Sequence, residues 1–339
     1  MARSAAERLR ALQGPGQIWS HSALTRFETC PYSYLGRYVD QVVDPPSAPL
    51  IQGTLTHAAA AALLREPALT PAEAVERARA VEVHHVLVDP ALDPALQQWA
   101  QDAVAAVPSD VQHLHAEAVW LQALPADPGQ TVPADFTTTP WEQDLTQRVP
   151  YAWFRAQDAL RAAGIDAVMA GPDLVLEMAD AIRIRDWKTS RPPMEGAAGL
   201  VPRYRAQLAL YGAVARRRYP GRLLALDLQV FVAQAVVPVP LTPSDFDAAA
   251  RRVFDTGQAI KAAARTGRSA FVKRVGDGCR YCPLASGVTP DGTPLCVEGA
   301  GYRHAQGWDR WDHKNRADRL AAGIRWMGDP PTTAQPSLF

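Results

Sequence analysis

The chain has 339 residues, 47% hydrophobic and 21% charged, which is enough for one large domain or two ordinary domains with a buried core. Its formal net charge is zero, which argues against a protein that coats nucleic acid without sequence preference. The charge is unevenly divided, since residues 1–170 hold 11 Lys and Arg against 19 Asp and Glu, and residues 171–339 hold 24 against 16. The basic second half is compatible with a local phosphate-binding channel or with unevenly charged solvated faces.

Several classes of protein are disfavoured by what the sequence lacks. No segment has the uncharged apolar length of a membrane span, and residues 1–20 lack the apolar core of a secretory signal. The sequence has no GxxxxGK[ST] loop, so we expect no P-loop ATPase in this chain. We therefore expect a soluble, cytoplasmic protein with no membrane partner.

The first half of the chain is predicted to be mostly helical. A Pro-, Gly- and Thr-rich stretch over residues 125–143 indicates a loop. The predicted helices are residues 22–39 with an interruption near Pro31, 53–65 with Gly53 or Thr54 at its start, most of 70–122, and 151–164.

The second half alternates strands with helices. Residues 173–178 and 181–187, separated by Ala179 and Asp180, predict a β-hairpin. After it we expect a helix over 203–219, strands over 223–233 and 235–241, and a helix over 244–265 capped by Ser244. This order predicts an α/β fold, with a mixed central sheet flanked by helices.

The end of the hairpin carries charged residues with a specific spacing. Asp186 and Lys188 lie two apart on a strand and therefore face the same side. They could form a surface ion pair or half of a metal-dependent hydrolytic site. A hairpin would bring Asp173 opposite Asp186, and two carboxylates suit Mg²⁺ or Mn²⁺. Asp166 is an alternative to Asp173, which we prefer because it directly precedes the strand.

The segment "GPDLVLEMADAIRIRDWKTS" resembles the core of the PD-(D/E)XK nuclease superfamily, in its RecB-like branch. The resemblance implies that Asp173, Asp186 and the backbone carbonyl of Trp187 are metal ligands and that Lys188 is catalytic. It also implies hydrolysis of DNA phosphodiester bonds by metal-activated water.

Two further motifs match that branch. "GTLTH" is similar to its Gly-x-x-x-His helix start, which implies that His57 is another metal ligand. "QLALY" places Gln207 and Tyr211 on one helix face, and the resemblance implies that they contact DNA or the catalytic lysine. From the residues alone, His57 could be an ordinary helix residue and the second motif could be packing.

The four cysteines form a third match. Cys30 precedes the nuclease core, and Cys279, Cys282 and Cys296 follow it, with thirteen residues between the last two. In a subset of RecB-like nucleases such cysteines hold a [4Fe–4S] cluster, which the resemblance implies here. A Cys₄ zinc site is equally compatible with the residue types, whereas a disulfide is disfavoured in a cytoplasmic chain.

The last five residues, "QPSLF", resemble the Q-x-x-L-F peptides that bind the bacterial sliding clamp, through Gln335, Leu338 and Phe339. The preceding Pro, Gly and Thr suggest a flexible tether. An incidental apolar end is the alternative.

Taken together, these features predict a DNA nuclease, with single-stranded ends as the expected substrate, a role in repair or recombination and a separate helicase as a possible partner. A non-catalytic iron–sulfur DNA-binding subunit is the alternative. The expected divisions are an N-terminal segment 1–19, a nuclease domain 20–300 with a helical insertion at 65–165, a C-terminal helix 301–327 and a tail 328–339.

Overall fold

The structure is a computed structural model, and it describes residues 3–42, 46–127, 129–133, 136, 138–149, 151–287 and 293–308. The C-terminal tail, with Gln335, Leu338 and Phe339, and most of the expected helix 301–327 lie outside the described residues. None of the described helices combines the length and the apolar composition needed to cross a membrane.

The described part of the chain forms a mixed α/β structure. Its strands are β1 Ile18–Ser20, β2 His113–Ala116, β3 Trp120–Pro125, β4 Ile165–Ala170, β5 Leu174–Glu177, β6 Ala181–Lys188, β7 Leu223–Val230 and β8 Ala235–Pro238. Its helices are α1 Ala5–Ala11, α2 His21–Thr29, α3 Pro31–Tyr34, α4 Ala48–Arg65, α5 Pro71–Val81, α6 Asp93–Ala105, α7 Thr139–Thr146, α8 Ala152–Ala162, α9 Val201–Arg218, α10 Pro243–Thr266, α11 Pro283–Ser286 and α12 Val297–Ala305.

The larger sheet has the order β2-β5-β6-β7-β8, so the strand that carries Asp186 and Lys188 lies at its centre. β5 and β6 pair antiparallel and form the expected hairpin. β6 and β7 pair parallel, and α9 connects them along the chain. A smaller sheet has the order β1-β4-β3, with β1 parallel to β4. The fold confirms the predicted mixed sheet flanked by helices.

Two layers of helices cover the larger sheet. The alternation along β6 sends Ile182 and Ile184 into a core with α9 and α10, while Trp187 faces the opposite way, into a core with α4, α5 and α6. A strand buried on both faces at the centre of a sheet is held rigidly, because neither its ladder nor its side chains can move alone. The end of β6 is therefore a fixed platform for Asp186 and Lys188.

Some boundaries differ from the sequence-based predictions. α4 begins at Ala48, with a proline in its first turn, so Gly53 lies inside the helix and does not start it. The cap of α10 is Thr242, whose hydroxyl and Asp245 form a capping box, and Ser244 already lies within the helix. Residues 65–165 hold helices, but also β2 and β3, which pair with β5 and β4, so they are not a helical insertion alone.

Candidate active site

Asp186 and Lys188 form a buried ion pair, not a surface one. Both project from the same face of β6, as the two-residue spacing predicts, and the ammonium of Lys188 contacts Asp186 Oδ2. The Asp186 side chain is 1% exposed and that of Lys188 is 13% exposed. Water screens the charges of this pair only weakly, so they act strongly on any neighbouring group.

Asp173 reaches the same place from the start of β5. Its Oδ2 accepts a hydrogen bond of 2.6 Å from the backbone N–H of Trp187, the residue between Asp186 and Lys188. Its Oδ1 lies 3.2 Å from Nδ1 of His57. The hairpin thus brings together the two carboxylates that the sequence pattern selected.

His57 approaches from α4 on the other side of the sheet. Its ring packs edge-on against Trp187, with the ring centroids 5.5 Å apart. Gly53, one helical turn earlier, lies against the end of β6, where an added Cβ would be 3.3 Å from Thr189 Oγ1. The Gly-x-x-x-His spacing therefore has a physical reason: the glycine permits the close approach that puts His57 beside Asp173.

Glu117 is a site residue that the sequence analysis missed. It lies between β2 and β3, and its Oε1 is 3.2 Å from His57 Nδ1. The described residues contain one group of three potential metal-ligating side chains whose ligand atoms lie within 4.8 Å of one another. It consists of His57, Glu117 and Asp173. Glu117 is the one charged residue in the three-residue segment between β2 and β3, which is too short to show any periodicity.

Helix α9 closes the site from the opposite face. Gln207 Nε2 donates to Asp186 Oδ1 at 3.3 Å and to the hydroxyl of Tyr211 at 2.7 Å. The ring of Tyr204 lies under the Lys188 ammonium, 4.5 Å from its centroid. The glutamine and tyrosine of the "QLALY" motif are therefore beside the acid, and Tyr204 orients the lysine.

The protonation states follow from burial and from mutual charge. Burial, followed by the charge of Asp173, raises the pKa of Asp186 to about 7. For Lys188, burial lowers the pKa, but Asp186 and Asp173 outweigh it and the net shift is upward. For His57, burial again lowers the pKa, yet Asp173 and Glu117 bring it to about 10. Lys188 is therefore an ammonium at neutral pH, suited to stabilise negative charge.

Asp166, the alternative to Asp173, lies elsewhere. Its Oδ2 is 2.8 Å from Lys261 Nζ, and it also accepts hydrogen bonds from the Gln17 backbone and the Trp19 indole. These contacts tie β1 and α10 to β4. The structure thus gives Asp166 partners that belong to the fold and gives Asp173 partners that belong to the site.

The cysteines surround a cavity of about 310 Å³ at the end of α2. Cys30, Cys279, Cys282 and Cys296 all line it, although 244 residues separate Cys30 from Arg274, whose backbone N–H donates to the Cys30 sulfur at 3.4 Å. All four are free thiols. The expected convergence of one early and three late cysteines is present in the fold.

The donor set at the end of β6 is an imidazole and carboxylates beside a lysine, which suits a hard divalent cation and an anionic substrate. A family model described as the PD-(D/E)XK nuclease superfamily matches residues 18–286. A search of curated proteins finds no match. The matched region contains the mixed sheet, the hairpin and all of the site residues described above except Cys296, and the chain belongs to the PD-(D/E)XK nuclease superfamily.

Proposed function

We propose that this protein is a metal-dependent DNA exonuclease of the RecB-like branch, acting on single-stranded ends. Members of its superfamily are generally nucleases, and these use divalent metals. The observation that carries the proposal is the buried set of Asp173, Asp186 and Lys188 at the end of a central strand. The preference for DNA, for single-stranded ends and for repair or recombination rests on the resemblance to RecB-like nucleases.

His57, Asp173 and Asp186 fit a divalent cation, with the carbonyl of Trp187 as a further ligand. His57, Asp173 and Asp186 come from three different elements of the fold. The two carboxylates stand against each other and are offset by His57 and Lys188. A bound Mg²⁺ or Mn²⁺ would neutralise the scissile phosphate and lower the pKa of a coordinated water. This chemistry needs the ligand oxygens that the site provides.

The protein's own groups would then act as follows. Lys188, held as an ammonium by Asp186 and positioned over Tyr204, stabilises the charge that develops on the phosphate and orients the attacking water. Gln207 holds Asp186 from α9, so that the carboxylate keeps its direction. The proton released by the water leaves to solvent on the exposed side of the site.

We further propose that the four cysteines hold a [4Fe–4S] cluster. The cavity of about 310 Å³ that they line has room for a multi-atom cluster. A tetrahedral Cys₄ zinc site is the alternative that the residue types also allow. The cavity is also lined by Arg26, Lys273 and Arg274, with no carboxylate among its described lining residues, which suits an anionic cluster.

Recruitment through the tail is a separate part of the proposal. "QPSLF" would insert Leu338 and Phe339 into a groove of the bacterial sliding clamp, with Gln335 as a polar contact. The support is the sequence alone. A separate helicase could likewise supply single-stranded ends.

The deciding experiment is cleavage of end-labelled single- and double-stranded DNA, and of RNA, with Mg²⁺, Mn²⁺ or EDTA. We expect divalent-dependent release of nucleotides from single-stranded DNA ends by the wild type, and none by folded Asp186→Ala or Lys188→Ala. Gln258→Ala, outside the site, should cleave like the wild type. DNA binding without cleavage by the wild type would instead support a non-catalytic iron–sulfur subunit.

A further inference from the structure

We propose that Glu117 is an additional side-chain ligand of the divalent cation, a role that rests on the proposed function. Three side chains from separate parts of the chain, His57 on α4, Asp173 before β5 and Glu117 between β2 and β3, aim their donor atoms at one point. Nδ1 of His57 is 3.2 Å from both carboxylates. One nitrogen and two oxygens within 4.8 Å of one another are compatible with the ligand set of a single divalent ion.

The backbone at Glu117 gives an independent reason. Its φ is +53°, in the left-handed region that non-glycine residues rarely adopt. The conformation is held in place because the Glu117 N–H donates to the carbonyl of Asp173 at 2.7 Å and Arg65 donates to the carbonyl of Ala116. Strain maintained by hydrogen bonds to a proposed metal ligand indicates that the direction of this side chain matters.

Charge leads to the same assignment. Asp173, Asp186 and Glu117 supply three negative charges, and Lys188 supplies one positive charge. With a neutral His57, one bound divalent cation would bring the net charge of these four side chains and the cation to zero. If Glu117 were absent, the net charge would be +1. Glu117 is only partly exposed, with 28% of its side chain accessible, so water screens its charge incompletely.

A purely orienting role for Glu117 would predict different behaviour. If Glu117 only held the ring of His57, a glutamine carbonyl could accept the same hydrogen bond and cation affinity would be kept. A ligand role requires the charged oxygen itself. Glu117→Gln separates the two, and Glu117→Gly removes the side chain without backbone strain, because glycine accepts a positive φ.

The test is calorimetric titration of the full chain with Mn²⁺, together with Mn²⁺ paramagnetic resonance in ¹⁷O-labelled water, which counts coordinated waters. We expect both Glu117 variants to bind Mn²⁺ at least about tenfold more weakly. Glu117→Gly should show one extra coordinated water. Asp110→Asn, which removes one exposed carboxylate away from the group, should bind within about twofold of the wild type, given the small effect of screened surface charges.

The outcomes separate this inference from the proposed function. Wild-type Mn²⁺ affinity in Glu117→Gln, or no Mn²⁺ binding by the wild type, would overturn the ligand role. Mn²⁺ binding that depends on Glu117 in a wild-type protein that does not cleave nucleic acid would support the ligand role and reject the nuclease. Thermal melting of each variant shows whether it is folded, and Glu117→Gln decides alone if the glycine variant is not.

Discussion

The carboxylate of Asp166 and the ammonium of Lys261 form an ion pair of 2.8 Å in which the two side chains are only 5% and 3% exposed. Removing one partner of such a pair leaves a buried charge without compensation, whereas removing both does not. We expect Lys261→Met to lower the free energy of unfolding by about 3–5 kcal/mol. Urea unfolding followed by circular dichroism would measure this.

The matched variant is Asp166→Asn with Lys261→Met, which should recover at least half of the lost stability. Its DNA cleavage per folded molecule should match that of the wild type, because the pair holds β1 and α10 and lies outside the site. Full loss of cleavage in a stable double variant would mean that Asp166 acts in the chemistry after all.

Asp186 should make the metal-free protein less stable at higher pH. Its pKa is raised from 3.8 to about 7, so between these values the unfolded state releases a proton that the folded state retains. The contribution of Asp186 to the free energy of unfolding therefore falls as the pH rises from about 4 to about 7. Asp186→Asn cannot titrate, so its stability relative to the wild type should rise across this window and then level off.

Thermal melts of both proteins in chelator, from pH 4 to pH 8, measure that difference. Saturating Mg²⁺ should reduce or reverse it, because only the carboxylate binds the cation well. A difference that stays constant with pH would show that the pKa of Asp186 is not raised.

Tyr204 should act on turnover through the position of Lys188. A cation–π contact in a poorly solvated site contributes about 1–2 kcal/mol, so Tyr204→Leu should lower kcat by about 5–30-fold with little change in KM. Tyr204→Phe keeps the ring and should retain most of the activity. Steady-state kinetics on single-stranded DNA would check this, and an equal loss in both variants would assign the effect to the hydroxyl, which lies 3.4 Å from Ser190.

The cysteines should bind iron. Anaerobically purified protein should be brown, with about four irons per chain. Cys30→Ser should lose the colour and lower the melting temperature, because a cluster held by Cys30 with Cys279, Cys282 and Cys296 would join distant parts of the chain. Metal analysis decides the identity, and colourless protein with stoichiometric zinc would reject the cluster.

The tail should bind the sliding clamp with modest affinity, since ordering a flexible segment carries an entropic penalty. The comparison is between the full chain and one ending at Ala334, titrated with isolated clamp. Binding by the full chain alone, with unchanged cleavage of free DNA by both, would place the tail in recruitment. Equal binding, or none, would contradict the prediction.

The sequence predicted local features well and distant pairings poorly. The period-two pattern of residues 181–188 predicted both the strand and the shared face of Asp186 and Lys188, because one face of that strand is buried. Glu117 could not be found in this way, since its position depends on a left-handed residue and on two short strands whose partners lie about 50 residues away. The start of α4 was misplaced because Gly53 serves close packing against Thr189 and not the end of a helix.

The convergence of Cys30 with Cys279, Cys282 and Cys296 makes an early and a late part of the chain depend on each other during synthesis. β1 also waits for its partner, because it pairs with β4 about 150 residues later. A nascent chain that has not yet reached Cys296 therefore carries an N-terminal segment whose sheet partner and thiol partners arrive at different times. Its final closure is a late, long-range event, slow for the same reason that all distant contacts are slow to form. A cut between residues 286 and 296 would separate Cys296 from the other three cysteines along the chain, while β6 with its acid and lysine would stay uncut.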